Sequence, residues 1–328
     1  MKNKEPKPPK ENKPEEAKKP KVTIGGLLDV SATALATATV LGLLGRIHWT
    51  LDLLSHFKVQ YMQLCLVLIG IELWRHRNKR AIALVLLAAI NYAFVLPLYF
   101  GKPAPATKKP IRAMLMNLNS GNGNTRSVLN MINEADPDIL LLEEVTPKWE
   151  KDLKPLKKSY KHRISEPRED SFGIMLLSKH SLKREKVVKI GPAEVPSIIA
   201  EVHLPETTFS IIGTHPVPPI GKEYSTMRNK QLMELPAVAG KQKYPVLLLG
   251  DLNTTPFSYW FRRLIEESEL KNSMKGFGFQ PSWQNKTRFL NIPLDHVLHS
   301  PEITIHNRMV GGDVGSDHLP VIVDFSVR

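Results

Sequence analysis

Residues 247–258, LLLGDLNTTPFS, run three leucines straight into an Asp-x-Asn pair followed by a proline. Apolar residues on consecutive positions imply a strand buried on both faces. This strand therefore ends by delivering Asp251 and Asn253 to a loop. Alone, such a pair is a common turn former, but the same ending recurs along the chain. IRAMLMN ends at Asn117, PDILLLEE at Glu143 and Glu144, and FSIIGTH at His215. LDHVL opens at Asp295, and GSDHLPVIV places Asp317 and His318 just ahead of the final strand.

Gathered on one sheet edge, these carboxylates, imidazoles and carboxamides suit phosphate-ester cleavage. A hard divalent cation, Mg²⁺ by default and Mn²⁺ as the alternative, prefers carboxylate and carbonyl oxygen. It needs few protein ligands and leaves positions for phosphate and water. Histidines can stabilise charge on the transferring phosphoryl group, and an Asp can orient or deprotonate the water. Acyl transfer fits poorly, because there is no Gly-x-Ser-x-Gly elbow and the single cysteine, Cys65, lies in an apolar run far from these motifs.

The elements that must position these groups begin at Ile111. Short β-rich runs alternate there with helical patterns at 125–134, 225–239 and 257–267, and Pro256 is placed at the start of the last. SIIAEVHL and TFSIIGTH, joined by PET, read as a hairpin, so the sheet is not purely parallel. Residues 111–328 are thus expected to form one layered α/β domain with mixed sheets. His162, His180, His203, His299 and His306 read as structural or exposed. His296 should face the opposite side of its strand from Asp295.

Upstream the texture differs. Residues 1–21 hold eight lysines and five prolines and almost nothing apolar, which predicts a disordered basic tail. Residues 22–100 carry apolar stretches at 22–44, 59–74 and 81–100, which predict a membrane region of about three transmembrane helices. Asp29 is the polar exception in the first. The lysines of the tail and RHRNKR between the second and third stretches put both on the cytoplasmic side. Three crossings then place the domain on the outer, periplasmic face of the inner membrane, after a linker at 101–110.

The ordered set MNLN, PDILLLEEV, FGIMLLSK, GTHPVPP, LLLGDLNTTPFS, LDHVL and GSDHLPV resembles the endonuclease/exonuclease/phosphatase (deoxyribonuclease I-like) superfamily. The membrane section, particularly HWTLDLLSHFKVQY, is similar to a bacterial membrane-anchored branch of it. The resemblance implies a four-layer α/β/β/α sandwich with two mixed β-sheets and a metal-dependent hydrolase of ester bonds. It implies catalytic roles for His215, Asp251, Asn253, Asp295 and His318, with Asp295 orienting His318. It implies metal-binding roles for Asn117, Glu144 and Asp317. Glu143 stands where the family usually has Gln, Asn119 where exonuclease III relatives carry Asp, and no counterpart of their catalytic Tyr is evident.

The formal charge of +13 bears on the substrate. Residues 1–110 hold 17 Lys+Arg against 7 Asp+Glu, which leaves 28 against 25 for the domain. A nearly balanced domain leans away from a dedicated DNA binder. The basic run at 148–163 reads as a solvated helix and loop, and GFGFQPSWQNKTRF, with Phe277, Phe279, Trp283 and Phe289, as a candidate substrate-side loop. Candidate substrates are nucleic acid, phospholipid or inositol phosphate, with the bilayer as the other partner and no obligate protein partner. The alternative function is a catalytically silent membrane sensor or binding module that retains the fold.

Overall fold

The computed structural model describes residues 23–101, 105–106, 109–285, 287 and 289–328. The expected basic tail at 1–21 and part of the 101–110 linker lie outside these residues.

Four helices come first: α1 (Ile24–Gly42), α2 (Trp49–Ser55), α3 (Lys58–Trp74) and α4 (Asn78–Val95), the last running into a 3₁₀ turn at Leu96–Tyr99. Thr23 caps α1 by accepting from the Gly26 amide at 3.1 Å. The helices α1 and α4 are long and apolar enough to cross a membrane, and α2 with α3 forms a third candidate bent by 60°. Their outward faces carry exposed Val30, Leu66, Val67, Ile82 and Leu86. Inward, the buried Asn91 amide donates to Thr39 Oγ1 and to the Leu87 carbonyl, both at 3.0 Å, the kind of polar link that joins helices where water is absent. Asp29 pairs with Arg77 and Arg80, so the start of α1 lies beside the α3–α4 turn.

The α/β region supplies β1 (Ile111–Asn117), α5 (Thr125–Ala135), β2 (Ile139–Glu143), α6 (Pro147–Asp152), β3 (His162–Glu166), β4 (Ile174–Ser178) and β5 (Ser181–Lys189). It continues with β6 (Pro196–His203), β7 (Thr208–Thr214), α7 (Gly221–Gly240), β8 (Val246–Asp251), α8 (Tyr259–Ser268) and β9 (Lys271–Asn272). The last strands are β10 (Asp295–His299), β11 (Ile303–Val310) and β12 (Val321–Val327). Among the described residues they form two six-stranded sheets, ordered β11-β12-β1-β2-β4-β3 and β5-β6-β7-β8-β10-β9. Each sheet is mixed: β1 runs parallel to β2, and β7 to β8, while the other pairs are antiparallel.

Alternation along the strands explains the layers. On β1, Ala113 and Leu115 enter the core between the sheets, while Met114 and Met116 face α5 and α6. On β8, Leu247 and Leu249 join the same central core, while Leu248 packs under Leu232 and Leu235 of α7 and Phe261 of α8. Each such fully buried Leu or Met is worth roughly 1.5–3 kcal/mol. The result is the expected α/β/β/α sandwich.

Three local features bear on the site. Gly250 precedes Asp251 because a Cβ there would lie 1.9 Å from the Thr214 carbonyl oxygen. Asn253 and Glu144 both adopt left-handed backbone, at φ 49° and 57°, which turns the chain sharply off the strand ends. Pro256 does not begin α8: Ser258 caps it, accepting from the Trp260 amide, and the first helical residue is Tyr259.

The two regions pack directly on each other. Val59, Val95 and Leu98 share a buried cluster with Phe257 and Met274. The Gly276 and Gly278 amides both donate to the Leu98 carbonyl, at 2.8 and 2.9 Å. Asp52 of α2 pairs with Arg228 of α7 at 2.7 Å, deep between them.

Candidate active site

The strand ends converge as expected. Asp251 and Asp295 are direct neighbours across β8 and β10, and Asn117 and Glu143 across β1 and β2. Both sheets therefore deliver their polar ends to one rim. His215 follows β7, and His318 precedes β12.

Asp251 sits at the centre. Its Oδ2 lies 3.5 Å from His215 Nε2 and 3.6 Å from His318 Nε2. Its Oδ1 accepts from the Asn253 amide at 2.9 Å. Burial would raise this carboxyl, but the two imidazoles and the Asn253 amide outweigh it and hold the group below the ordinary Asp range. Behind His318, Nδ1 donates to Asp295 Oδ2 at 2.8 Å, which fixes the ring with Nε2 toward Asp251. Burial alone would lower His318, yet the carboxylates of Asp295 and Asp251 raise it to about 10. His215 is likewise raised to about 9, against burial, by Asp251 and Glu143. Both imidazoles are thus held above the ordinary His range and flank one carboxylate.

Glu143 lies beneath this group. Its Oε2 accepts from the Asp251 amide at 3.0 Å. Burial pushes its pKa up to about 8 against the pull of His215.

Glu144 turns the other way, into the cleft. Its Oε1 accepts from Asn117 Nδ2 at 3.2 Å and its Oε2 from the Ser120 amide at 2.8 Å. Asp317 is held by Asn119 Nδ2 at 2.7 Å and by Trp283 Nε1 at 3.3 Å. Asn119 thus occupies the position of the missing Asp as a hydrogen-bond donor. The Asn253 amide donates to the Pro216 carbonyl at 2.9 Å, while Arg228 Nη1 donates to the Asn253 carbonyl at 2.6 Å.

Among the described residues, ligand atoms of Asp251, Asp295 and His318 lie within 4.8 Å of one another and could hold a cation, and Asp295 Oδ1 has no hydrogen-bond partner there. Glu144 and Asp317 also line the cleft, and carboxylate oxygen is the donor that Mg²⁺ and Mn²⁺ favour.

The cleft over these groups has a volume of about 780 Å³. Sequence reasoning missed several of its walls. Phe172 packs its ring 5.5 Å from that of His215, and Leu53, His56 and Phe57 reach in from the bend between α2 and α3. His56, which the sequence placed beside the membrane, hydrogen-bonds Thr255 Oγ1 at 3.0 Å. Of the aromatic loop, Trp283 lines the cleft, whereas Phe279 stacks on Phe257 and Phe277 packs against the central core. The basic run at 148–163 contributes nothing to the cleft: Trp149 and Tyr160 are buried and Lys148 pairs with Asp152. His296 faces α8, as expected, with Nε2 on the Thr254 carbonyl.

A family model described as the Endonuclease/Exonuclease/phosphatase family matches residues 114–318. No curated protein matches the sequence. Among solved structures, D. rerio TDP2 complexed with single-strand DNA product is 16% identical, with a TM-score of 0.58, covering 67% of this chain and 100% of that one. The human Nocturnin catalytic domain with bound sulfate is 19% identical at a TM-score of 0.57, covering 71% and 98%. Sphingomyelinase C from Streptomyces griseocarneus is 15% identical at 0.51, covering 66% and 99%. At these identities the likeness is one of fold.

Proposed function

The chain belongs to the endonuclease/exonuclease/phosphatase family, whose enzymes are metal-dependent hydrolases of phosphoester bonds, and on that premise we propose that it is a membrane-anchored phosphodiesterase. The observation that carries this reading is the Asp251 carboxylate set between the imidazoles of His215 and His318, with Asp295 behind the latter.

In this reading Asp251 orients the attacking water and accepts its proton. His215 and His318, as imidazoliums, stabilise the charge that develops on the phosphoryl oxygens, and Asp295 positions His318. The Asn253 side chain keeps one N–H for a phosphate oxygen while the other is held by Pro216. Glu144, Asn117 and Asp317 would hold Mg²⁺, with Mn²⁺ able to replace it. When bound, the cation supplies positive charge that polarises the phosphoryl oxygen.

The helical region is proposed to cross the inner membrane three times, at α1, α3 and α4. The chain before α1 and the α3–α4 turn then face the cytoplasm, and the α/β domain at 111–328 faces the periplasm. The pairing of Asp29 with the basic α3–α4 turn supports this arrangement by putting both on one side. An alkaline phosphatase fused after residue 328 should be active, and an inactive fusion refutes the topology.

The catalytic test uses the full chain in mild detergent, because α2 packs against the domain. It should hydrolyse bis-p-nitrophenyl phosphate with Mg²⁺ or Mn²⁺ and stop with EDTA. Turnover that persists without metal refutes the mechanism.

A further inference from the structure

The cleft is walled by two parts of the chain that the sequence treats as separate. On the domain side lie the polar strand ends, and on the other lie Leu53, His56 and Phe57 from the α2–α3 bend. We propose that the helical region completes the substrate site, and that the substrate is an intact phospholipid with a phosphodiester headgroup. This inference rests on the phosphoesterase reading and names its substrate class.

Three observations carry it. The first is the charge of the lining: Glu144, Asp170, Asp251 and Asp317 face the cleft, and no Lys or Arg does among the described residues. A polyanion gains its affinity from phosphates neutralised along its length, and among the described residues this cleft sets only the imidazoles of His215 and His318 at its floor. One phosphodiester fits that distribution.

The second is the character of the apolar wall. Leu53, Ile220, Ile292 and Leu294 join Phe57, Phe172 and Trp283 there, and Pro218 and Pro219 continue the surface. Hydrocarbon chains need only such apolar area. Ile220 is 75% exposed while lining the cleft, so the wall extends out to the mouth.

The third is where the mouth lies. Leu64 and Leu66 on α3 are exposed to the outside of the bundle. Leu64 is seven residues beyond Phe57, or about 10 Å along a helix. Next to it, Gln60 of α3 donates to the carbonyls of Phe289 and Asn291 at 3.1 and 2.9 Å, and Phe289 and Leu290 are both exposed. An exposed Phe-Leu pair tied to the top of a spanning helix belongs at the headgroup level. A lipid can thus bring its phosphate to Asp251 while its chains stay along Leu53, Phe57 and Ile220.

The reaction balances as a hydrolysis. One P–O bond forms to the water oxygen and one ester P–O bond breaks. The water proton passes to Asp251, and the leaving alkoxide takes a proton from one of the imidazoliums. The products are a phosphomonoester and an alcohol.

The test compares full-chain enzyme on dioleoyl phosphatidylglycerol, phosphatidylethanolamine and phosphatidylcholine in mixed micelles with the deacylated counterpart of each, with plasmid DNA, and with bis-p-nitrophenyl phosphate. At least one lipid should turn over about tenfold or more faster than its deacylated form, and Ile220→Asn should shrink that ratio by about tenfold. If bis-p-nitrophenyl phosphate is hydrolysed while no lipid outpaces its deacylated form, or while DNA outpaces them all, the substrate class is overturned and the phosphoesterase reading stands. If bis-p-nitrophenyl phosphate is not hydrolysed either, both fall.

Discussion

Asp52 Oδ2 lies 2.7 Å from Arg228 Nη2, with each side chain only 1% exposed and the two residues 176 positions apart in the chain. The other end of the Arg228 fork holds the Asn253 carbonyl, and the second Asp52 oxygen accepts from Ser258 Oγ at 2.7 Å. Both ends of the 251–258 loop are therefore anchored to α2.

Removing one member of this pair leaves the other charged and buried without a partner, which costs about 3–5 kcal/mol. Asp52→Ala should lower the midpoint of thermal unfolding and also reduce kcat, because the Asn253 loop loses its anchor. The double variant Asp52→Leu/Arg228→Met should regain stability but not kcat. Recovery of both would show that the pair serves packing alone.

Asp295 holds His318 Nδ1 at 2.8 Å and does not line the cleft, so in the proposed mechanism it acts through His318. Asp295→Asn should therefore reduce kcat on bis-p-nitrophenyl phosphate by about 10²–10⁴ with little change in KM. His318→Ala should fall in the same range, and the double variant should be no worse than the more damaging single change. Additive losses would separate the two residues.

Glu144 lines the cleft while its two oxygens accept from Asn117 Nδ2 and the Ser120 amide, and the proposed mechanism gives it to the cation. Glu144→Gln should raise the Mg²⁺ concentration for half-maximal activity by about tenfold or more, with folding unchanged by circular dichroism. Isothermal titration of Mn²⁺ into the variant should show the same weakening. An unaltered metal requirement would move the cation to the Asp251, Asp295 and His318 group.

His296 predicts an acid limb of stability. Burial lowers its pKa from 6.5 to about 4, aided by Arg308 and opposed by the Thr254 and Pro293 backbone and by Asp251. The folded value lies below the unfolded one, so the unfolded chain binds more protons in between. Stability is then full above pH 6.5 and is lost as the pH falls toward 4, by about 3 kcal/mol. Urea unfolding between pH 6.5 and 4 should show this slope, and His296→Gln, which keeps a donor to Thr254, should flatten it.

The sequence displayed the eight interior strands and the polar residues at their ends, because strands buried on both faces read as unbroken apolar runs. It concealed β3, β5, β9 and β11, which are the four edge strands of the two sheets. An edge strand such as SLKREKVVK carries charges on its open side, and these erase the apolar signal. The site was legible wherever a residue ends a strand. Leu53, His56, Phe57, Phe172 and Arg228 were not, because their roles arise from contacts between distant segments that leave no local spacing. Gly250 had the opposite fate: it was visible in LLLGD, yet only the nearby Thr214 carbonyl explains why no side chain fits there.

The pairing of β1 with β12 sets the order in which the enzyme can come into being. Asn117 ends the first strand of the domain, His318 immediately precedes the last, and the two strands lie side by side. Synthesis delivers Asn117 some two hundred residues before His318, so the rim that joins them is complete only once the final strand has paired with the first. Under the proposed topology that last pairing would take place on the periplasmic side, and the assembled site would form there.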